Sequence, residues 1–241
     1  MIKRFDMKLM FSLIWIMVFC PTTLAVEYEK GNQYHNVVEE TIASTGFNGT
    51  VLISKDGRVV FHENIGFSDD DRENLISDKH LFCPGSVGKE FSTVSIMQLV
   101  EQGKLSYEDS IAEYIAGFPS WAKNITVEHI LTHTSGLPKV KWKKYIDTSD
   151  VVKQIKNSTL AFEPGKDYLY SNLNVVVRAL IVERITGGTY SDFAKEFIFD
   201  VAGMTDSYFQ IDANNPSKFK VTGDYREWGE FICYTTRLVK I

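Results

Sequence analysis

Cysteine is nearly absent from this chain of 241 residues, which has three in all, at Cys20, Cys83 and Cys233. So few over such a length make no disulfide framework, and no CxxC pair or Cys/His cluster is present to hold a metal. A single bridge between Cys83 and Cys233 stays open, because the sequence cannot supply its geometry. Positive charge is lacking too. Lys and Arg number 26 against 31 Asp and Glu, a net charge of −5, which leaves no electrostatic footprint for nucleic acid. Long apolar runs are missing: the longest, Leu9 to Phe19, is broken only by Ser12 and is short for a membrane span. Repeats, low-complexity tracts and linkers are absent, so the chain reads as one domain. The histidines of Glu128-His129-Ile-Leu-Thr-His133 stand four apart, but the glutamate precedes the first instead of following it, as HExxH requires. They read as ordinary residues closing a short helix. What remains is 44% hydrophobic and 13% aromatic, the composition of a globular domain with a sizeable core.

The amino terminus has the pattern of an export signal. Lys3, Arg4 and Lys8 precede the apolar run, and Pro21 opens a polar stretch ending in the small-x-small site Thr23-Leu24-Ala25. Residues 1–25 are thus expected to be a signal peptide, with an uncleaved anchor helix as the alternative. Cleavage would leave an acidic chain of net charge −7 in a secreted or periplasmic location, with no membrane span. Bulky Phe19 before Cys20 is a poor match to lipoprotein processing.

Residues Gly49 to Phe61 form two β-rich runs around Asp56-Gly57, a hairpin signal. The polar stretch from Ser68 to Lys79 reads as loop. Helical patterns follow over Val87 to Gln102, with Phe91, Val94, Ile96, Met97, Leu99 and Val100 as the apolar face and Gly103 just past its end. A shorter helix is expected over Leu105 to Ile115. Thr126 has the position of an N-cap for Val127 to His133, and Pro164-Gly165 marks a turn. The segment Leu173 to Thr186 is a strongly apolar helix ended by Gly187-Gly188, and Tyr190 to Phe199 is helical again. Strand signal after the hairpin is slight, which gives an α+β order with a helical subregion over about residues 105–200.

Chemistry concentrates in two short motifs. Ser86-Val-Gly-Lys89 is an S-x-x-K at the start of a helix, whose spacing of three places both side chains on one face. A serine among the unpaired N–H groups of a helix start is suited to a developing oxyanion, and an adjacent ammonium helps draw off its proton. The pattern alone is common in helices, where it is a cap and a surface lysine. The second motif is Tyr170-Ser-Asn172.

The stretch Phe82 to Phe91 (FCPGSVGKEF) and its sequel resemble the serine β-lactamase-like family, which includes class C β-lactamases, D-alanyl-D-alanine carboxypeptidases and related esterases. The resemblance recurs in order at Phe47-Asn-Gly-Thr-Val-Leu-Ile53, at Ile130-Leu-Thr-His-Thr-Ser-Gly-Leu-Pro138, at Tyr170-Ser-Asn172 and at Gly203-Met-Thr-Asp-Ser-Tyr208. It implies a β-lactamase/penicillin-binding-protein-like fold and an acyl-enzyme hydrolase needing no metal or organic cofactor. Ser86 would be the nucleophile, with Lys89 helping to deprotonate it. Tyr170 would be the general base, later protonating the leaving group. Asn172 would contact the substrate amide and orient Lys89, and the Ser86 backbone N–H would form half of an oxyanion hole. The substrate would be a small-molecule or peptide acyl compound: a peptidoglycan peptide, a β-lactam or a small ester.

Departures are visible. Gly88 stands where Ser or Thr is usual and Glu90 where Gln is frequent. Val175 replaces an aromatic, and Arg178 falls in an apolar run where Leu is preferred. A lone core-facing arginine costs several kcal/mol unless it pairs, so Arg178 is expected at an exposed edge of the helix. Glu163, Asp167 and the run Ser68 to Asp71 read as solvated polar groups. The family's third motif, Lys or His, then Thr or Ser, then Gly, finds no match. His133-Thr-Ser-Gly136 already belongs to the helical signature, and Lys220-Val-Thr-Gly223 has an inserted valine and comes too soon. Residues 26–241 are therefore expected to be an incomplete domain, with the late sheet strands and C-terminal helix missing. The alternative function is a truncated non-catalytic member of the family, a gene remnant or a binding protein.

Overall fold

Asp56 and Gly57 both take positive φ, 52° and 73°, the pairing that a two-residue turn needs to match the twist of its strands. They join β1 (Gly49–Lys55) to β2 (Arg58–Ile65) as an antiparallel hairpin, with a register irregularity between Ile53 and Ser54. The computed structural model describes residues 33–69, 71–82, 84–141, 148–209 and 234–236. The expected signal peptide, Cys83, Cys233 and the stretch 220–225 lie outside them. A helix, α1 (Gln33–Thr45), precedes the hairpin.

The rest of the described chain is mainly helical: α2 (Lys89–Glu101), α3 (Ile111–Tyr114), α4 (Val127–Leu131), α5 (Thr148–Lys156), α6 (Asn172–Thr186) and α7 (Tyr190–Ala194), the last running on into a wider turn over Lys195–Phe199. The α6 helix is apolar on nearly all sides because it is central, packing against α2, α3, α4, α5 and α7. Val177, Ile181 and Val182 meet Ile96 and Leu99 of α2, Ile130 of α4 and Ile155 of α5 in one buried core. Ser171 caps its start by accepting from Leu173 N–H, and Gly187 ends it at φ 75°.

Three expectations are corrected. The helix expected over Leu105 to Ile115 shrinks to α3, because the Ile111 N–H donates to the Ile125 carbonyl and the Tyr107 and Asp109 carbonyls accept from Glu128 and Val127 N–H, and the extended Ser110 caps only the last four residues. On α2, Val94 and Met97 face outward at 39% and 44% exposure, while Ser92 and Ser95 are buried. Their hydroxyls donate to the carbonyls of Lys89 and Phe91, which satisfies them inside the core. Strand signal after the hairpin is slight in the sequence, yet β3 (Ser207–Phe209) pairs antiparallel with β4 (Tyr234–Thr236). Among the described residues no helix is long and apolar enough to cross a membrane.

Candidate active site

Pro84 and Gly85, the latter at φ 55°, turn the chain into a single 3-10 turn over Gly85–Gly88 that feeds α2. Ser86 is exposed on this turn and Lys89 lies beneath it, only 7% exposed. The Lys89 Nζ donates to Ser86 Oγ at 2.8 Å, as the spacing of three predicts.

Tyr170 comes to the same place from a distant segment. Residues 161–171 run beside residues 133–136, laced by bonds from Ala161 N–H to the Gly136 carbonyl (2.8 Å), Gly165 N–H to Thr134 (2.8 Å) and Leu169 N–H to His133 (3.0 Å). Gly136 sits at φ 76°, and a Cβ there would lie 2.3 Å from the Phe162 carbonyl oxygen. Only glycine admits this seam. Lys89 Nζ stands 5.3 Å from the centroid of the Tyr170 ring, which brings the phenol beside the Ser86 and Lys89 pair. Burial pushes that phenol up. The hydrogen bonds from Ser86 and Lys89 and the charges of Lys89 and Arg178 outweigh it and hold the group below the usual phenol range.

Asn172 opens α6, and its Oδ1 is buried without a hydrogen-bond partner. Ser86, Lys89 and Tyr170 are thus brought together, and Lys89 makes no hydrogen bond to the Asn172 Oδ1. Glu90 is exposed on the first turn of α2. No group of three or more metal-ligating side chains occurs among the described residues.

Arg178 is not at an exposed edge. It is 2% exposed and donates to the carbonyls of Ile130 (2.7 and 3.1 Å) and Leu131 (3.4 Å) and to the hydroxyls of Ser92 (3.3 Å) and Thr93 (3.0 Å). The guanidinium is accepted in the core because it satisfies the last carbonyls of α4 and ties that helix to α2.

His133 does more than close a short helix, since α4 ends at Leu131 and His133 itself takes φ 61°. Its Nδ1 receives the Ser171 backbone N–H at 3.2 Å and lies 3.0 Å from Asn174 Nδ2. Ser135 Oγ donates to Asn174 Oδ1 at 2.6 Å. The imidazole lies against the Tyr170 ring, centroids 4.7 Å apart. Burial, together with the charges of Arg178 and Lys89, lowers its pKa to about 4. Asn174, Arg178 and His133 were missed as site residues. The available signal was the polar pair Asn174 and Arg178, four apart among the apolar residues from Leu173 to Val182 and hence on one face.

The family described as Beta-lactamase matches residues 35–229. Penicillin-binding protein 4* of Bacillus subtilis is 35% identical over 171 residues, 67% of this chain and 38% of that protein. The teichoic acid D-alanine hydrolase of Staphylococcus aureus is 26% identical over 173 residues, 71% of this chain and 43% of its own length. The chain therefore spans well under half of the length of these curated relatives. Among solved structures, FmtA from Staphylococcus aureus superposes with a TM-score of 0.76 at 22% identity, covering 87% of this chain and 64% of that one, which bears on the fold alone.

Proposed function

The chain belongs to the β-lactamase-related family of serine hydrolases, and on that premise we propose that Ser86 forms an acyl-enzyme with the carbonyl of an exported enzyme's substrate. The observation that carries this reading is the 2.8 Å bond from Lys89 Nζ to Ser86 Oγ, with the same Nζ 5.3 Å from the centroid of the Tyr170 ring. A hydroxyl has one proton to give. With Lys89 donating to Ser86 Oγ, the serine proton passes to Tyr170 Oη as Oγ attacks the carbonyl carbon. The phenol then protonates the leaving nitrogen or oxygen as the tetrahedral intermediate collapses. Water, deprotonated by the same phenolate, attacks the acyl carbonyl, and the proton returns to Ser86 Oγ. The backbone N–H of Ser86, in the 3-10 turn that leads into α2, serves as one oxyanion donor, and such a donor is worth roughly 10²–10³ in rate. The buried Oδ1 of Asn172, with no hydrogen-bond partner, is the acceptor proposed for a substrate N–H.

The substrate class is an acylated cell-wall constituent, a peptide amide or D-alanyl ester, or a β-lactam; the relatives' names and the acyl chemistry of the site support it. Export by cleavage after Ala25 accords with such a substrate. Incubation of the full chain with a fluorophosphonate and with labelled penicillin, followed by peptide mass spectrometry, is expected to find the adduct on Ser86 and to lose it in Ser86→Ala. Absence of any adduct on Ser86 would overturn the reading in favour of a non-catalytic binding protein. Amino-terminal sequencing of the exported protein should begin near Val26.

A further inference from the structure

His133 reaches Tyr170 from the seam described above, and its own proton can be located by elimination. The Ser171 backbone N–H can only donate, and it points at His133 Nδ1, so Nδ1 is an acceptor and the ring proton sits on Nε2. Asn174 must then turn its amide nitrogen to Nδ1 and its oxygen to Ser135 Oγ, the arrangement found at 3.0 and 2.6 Å. Ser135 Oγ also accepts from Leu137 N–H, so the chain of bonds ends on the backbone. Every member is fixed by a group that has no alternative orientation. The ring held in this way lies at 30° to the Tyr170 ring with centroids 4.7 Å apart, and Tyr168 closes on it edge-on at 6.2 Å.

We infer that His133 is a positioning residue for Tyr170, an uncharged aromatic floor that keeps the phenol beside Ser86 and Lys89. This rests on the proposed role of Tyr170 as the base. Tyr170 is 42% exposed, so without the floor its ring has open solvent to swing into. A cationic imidazole would serve badly. The charges facing it are Lys89 of α2 and Arg178 of α6, and a third cation there would also surrender the acceptor that receives Ser171 N–H. Neutrality is enforced by the same burial and charges that lower its pKa. Asn174 and Ser135 act one step further out, by fixing the ring rather than touching Tyr170.

His133→Asn tests the inference, since asparagine tolerates the left-handed backbone and keeps an acceptor but removes the ring. In the folded variant, fluorophosphonate labelling of Ser86 should slow on the order of ten- to a hundredfold, the scale of a misplaced catalytic group, with ester KM unchanged. The Tyr170 phenol, read as tyrosinate ultraviolet absorbance after subtraction of Tyr170→Phe, should titrate at higher pH than in the wild type. Labelling rate and titration both at wild-type values would overturn the inference. If the wild-type chain shows no labelling at Ser86, the enzymatic reading fails, and the Tyr170 titration decides this inference by itself. If His133→Asn does not fold, the isosteric Asn174→Asp carries the test. A carboxylate facing Nδ1 recruits a proton there, and the acid limb of the labelling rate should shift; an unchanged limb would overturn the inference.

Discussion

The guanidinium of Arg178 grips one carbonyl oxygen, that of Ile130, through both Nε at 3.1 Å and Nη2 at 2.7 Å. This fork caps the end of α4 from the middle of α6, and its remaining donors reach Ser92 and Thr93 on α2. A positive charge is thereby fixed behind the candidate base, in a helix position where a leucine would pack more simply.

Arg178→Leu should therefore cost stability although it adds apolar surface. The Ile130 carbonyl is left buried without a donor, a loss of roughly 2 kcal/mol, within the usual 1–3 for such an acceptor. Denaturant unfolding would show it, and Arg178→Lys should lose less because the ammonium still offers donors. Removing the charge should also raise the pKa of Tyr170, so the acid limb of Ser86 labelling should move to higher pH in Arg178→Leu and stay near the wild type in Arg178→Lys.

Lys89 lowers the pKa of Tyr170 by a hydrogen bond and by its charge. The phenolate form is depleted as pH falls through that lowered pKa, which places the acid limb of the rate there. Lys89→Met removes both effects, so the limb should move upward. The pH profile of ester hydrolysis or of Ser86 labelling measures it, and a limb that stays in place would show that Tyr170 is not the base.

His133 titrates near pH 6.5 when unfolded and at about 4 when folded. Its contribution to stability is complete above pH 6.5, where both states are neutral. It is lost as pH falls from 6.5 towards 4, because only the unfolded chain takes the proton. The loss is on the order of 2–3 kcal/mol across that window. Urea unfolding at a series of pH values should show this slope, and it should vanish in His133→Asn. The lowered carboxylates Asp69, Glu108 and Asp109 act below their ordinary range near pH 4, mostly outside the window.

Gly136→Ala should be damaging out of proportion to one methyl group. Its φ of 76° strains any other residue by ~1 kcal/mol, and the added Cβ would meet the Phe162 carbonyl oxygen at 2.3 Å. Backbone must shift, for a total near 3 kcal/mol or more. Thermal unfolding would register the loss, with slower Ser86 labelling as the seam carrying Tyr170 opens.

Local chemistry was legible and tertiary chemistry was not. Asp56-Gly57 announces its own turn, and Ser86 with Lys89 follows from a spacing of three on a helix, so both could be read from neighbouring residues. Arg178 was misjudged because the carbonyl that satisfies it is 48 residues away, and a desolvation cost taken without its partner always argues for exposure. The expected helix over Leu105 to Ile115 failed for a related reason: the apolar spacing was present, but the Tyr107 carbonyl and the Ile111 N–H that a helix would pair go instead to Glu128 and Ile125. His133 was hidden by its place in a short motif. Its role depends on Ser171 and Asn174, brought to it only when α6 docks.

The seam that carries Tyr170 gives the site a place in folding as well. The Ser171 amide is bonded to a side chain 38 positions earlier in the chain, and Arg178 meets Ser92 across 86. Closures of that span form late relative to individual helices, so the Ser86 and Lys89 pair meets the Tyr170 phenol only once the helical core is assembled. A newly made chain thus carries Ser86 next to Lys89 from the start of α2, but lacks the proposed base beside them until its last long-range contacts close.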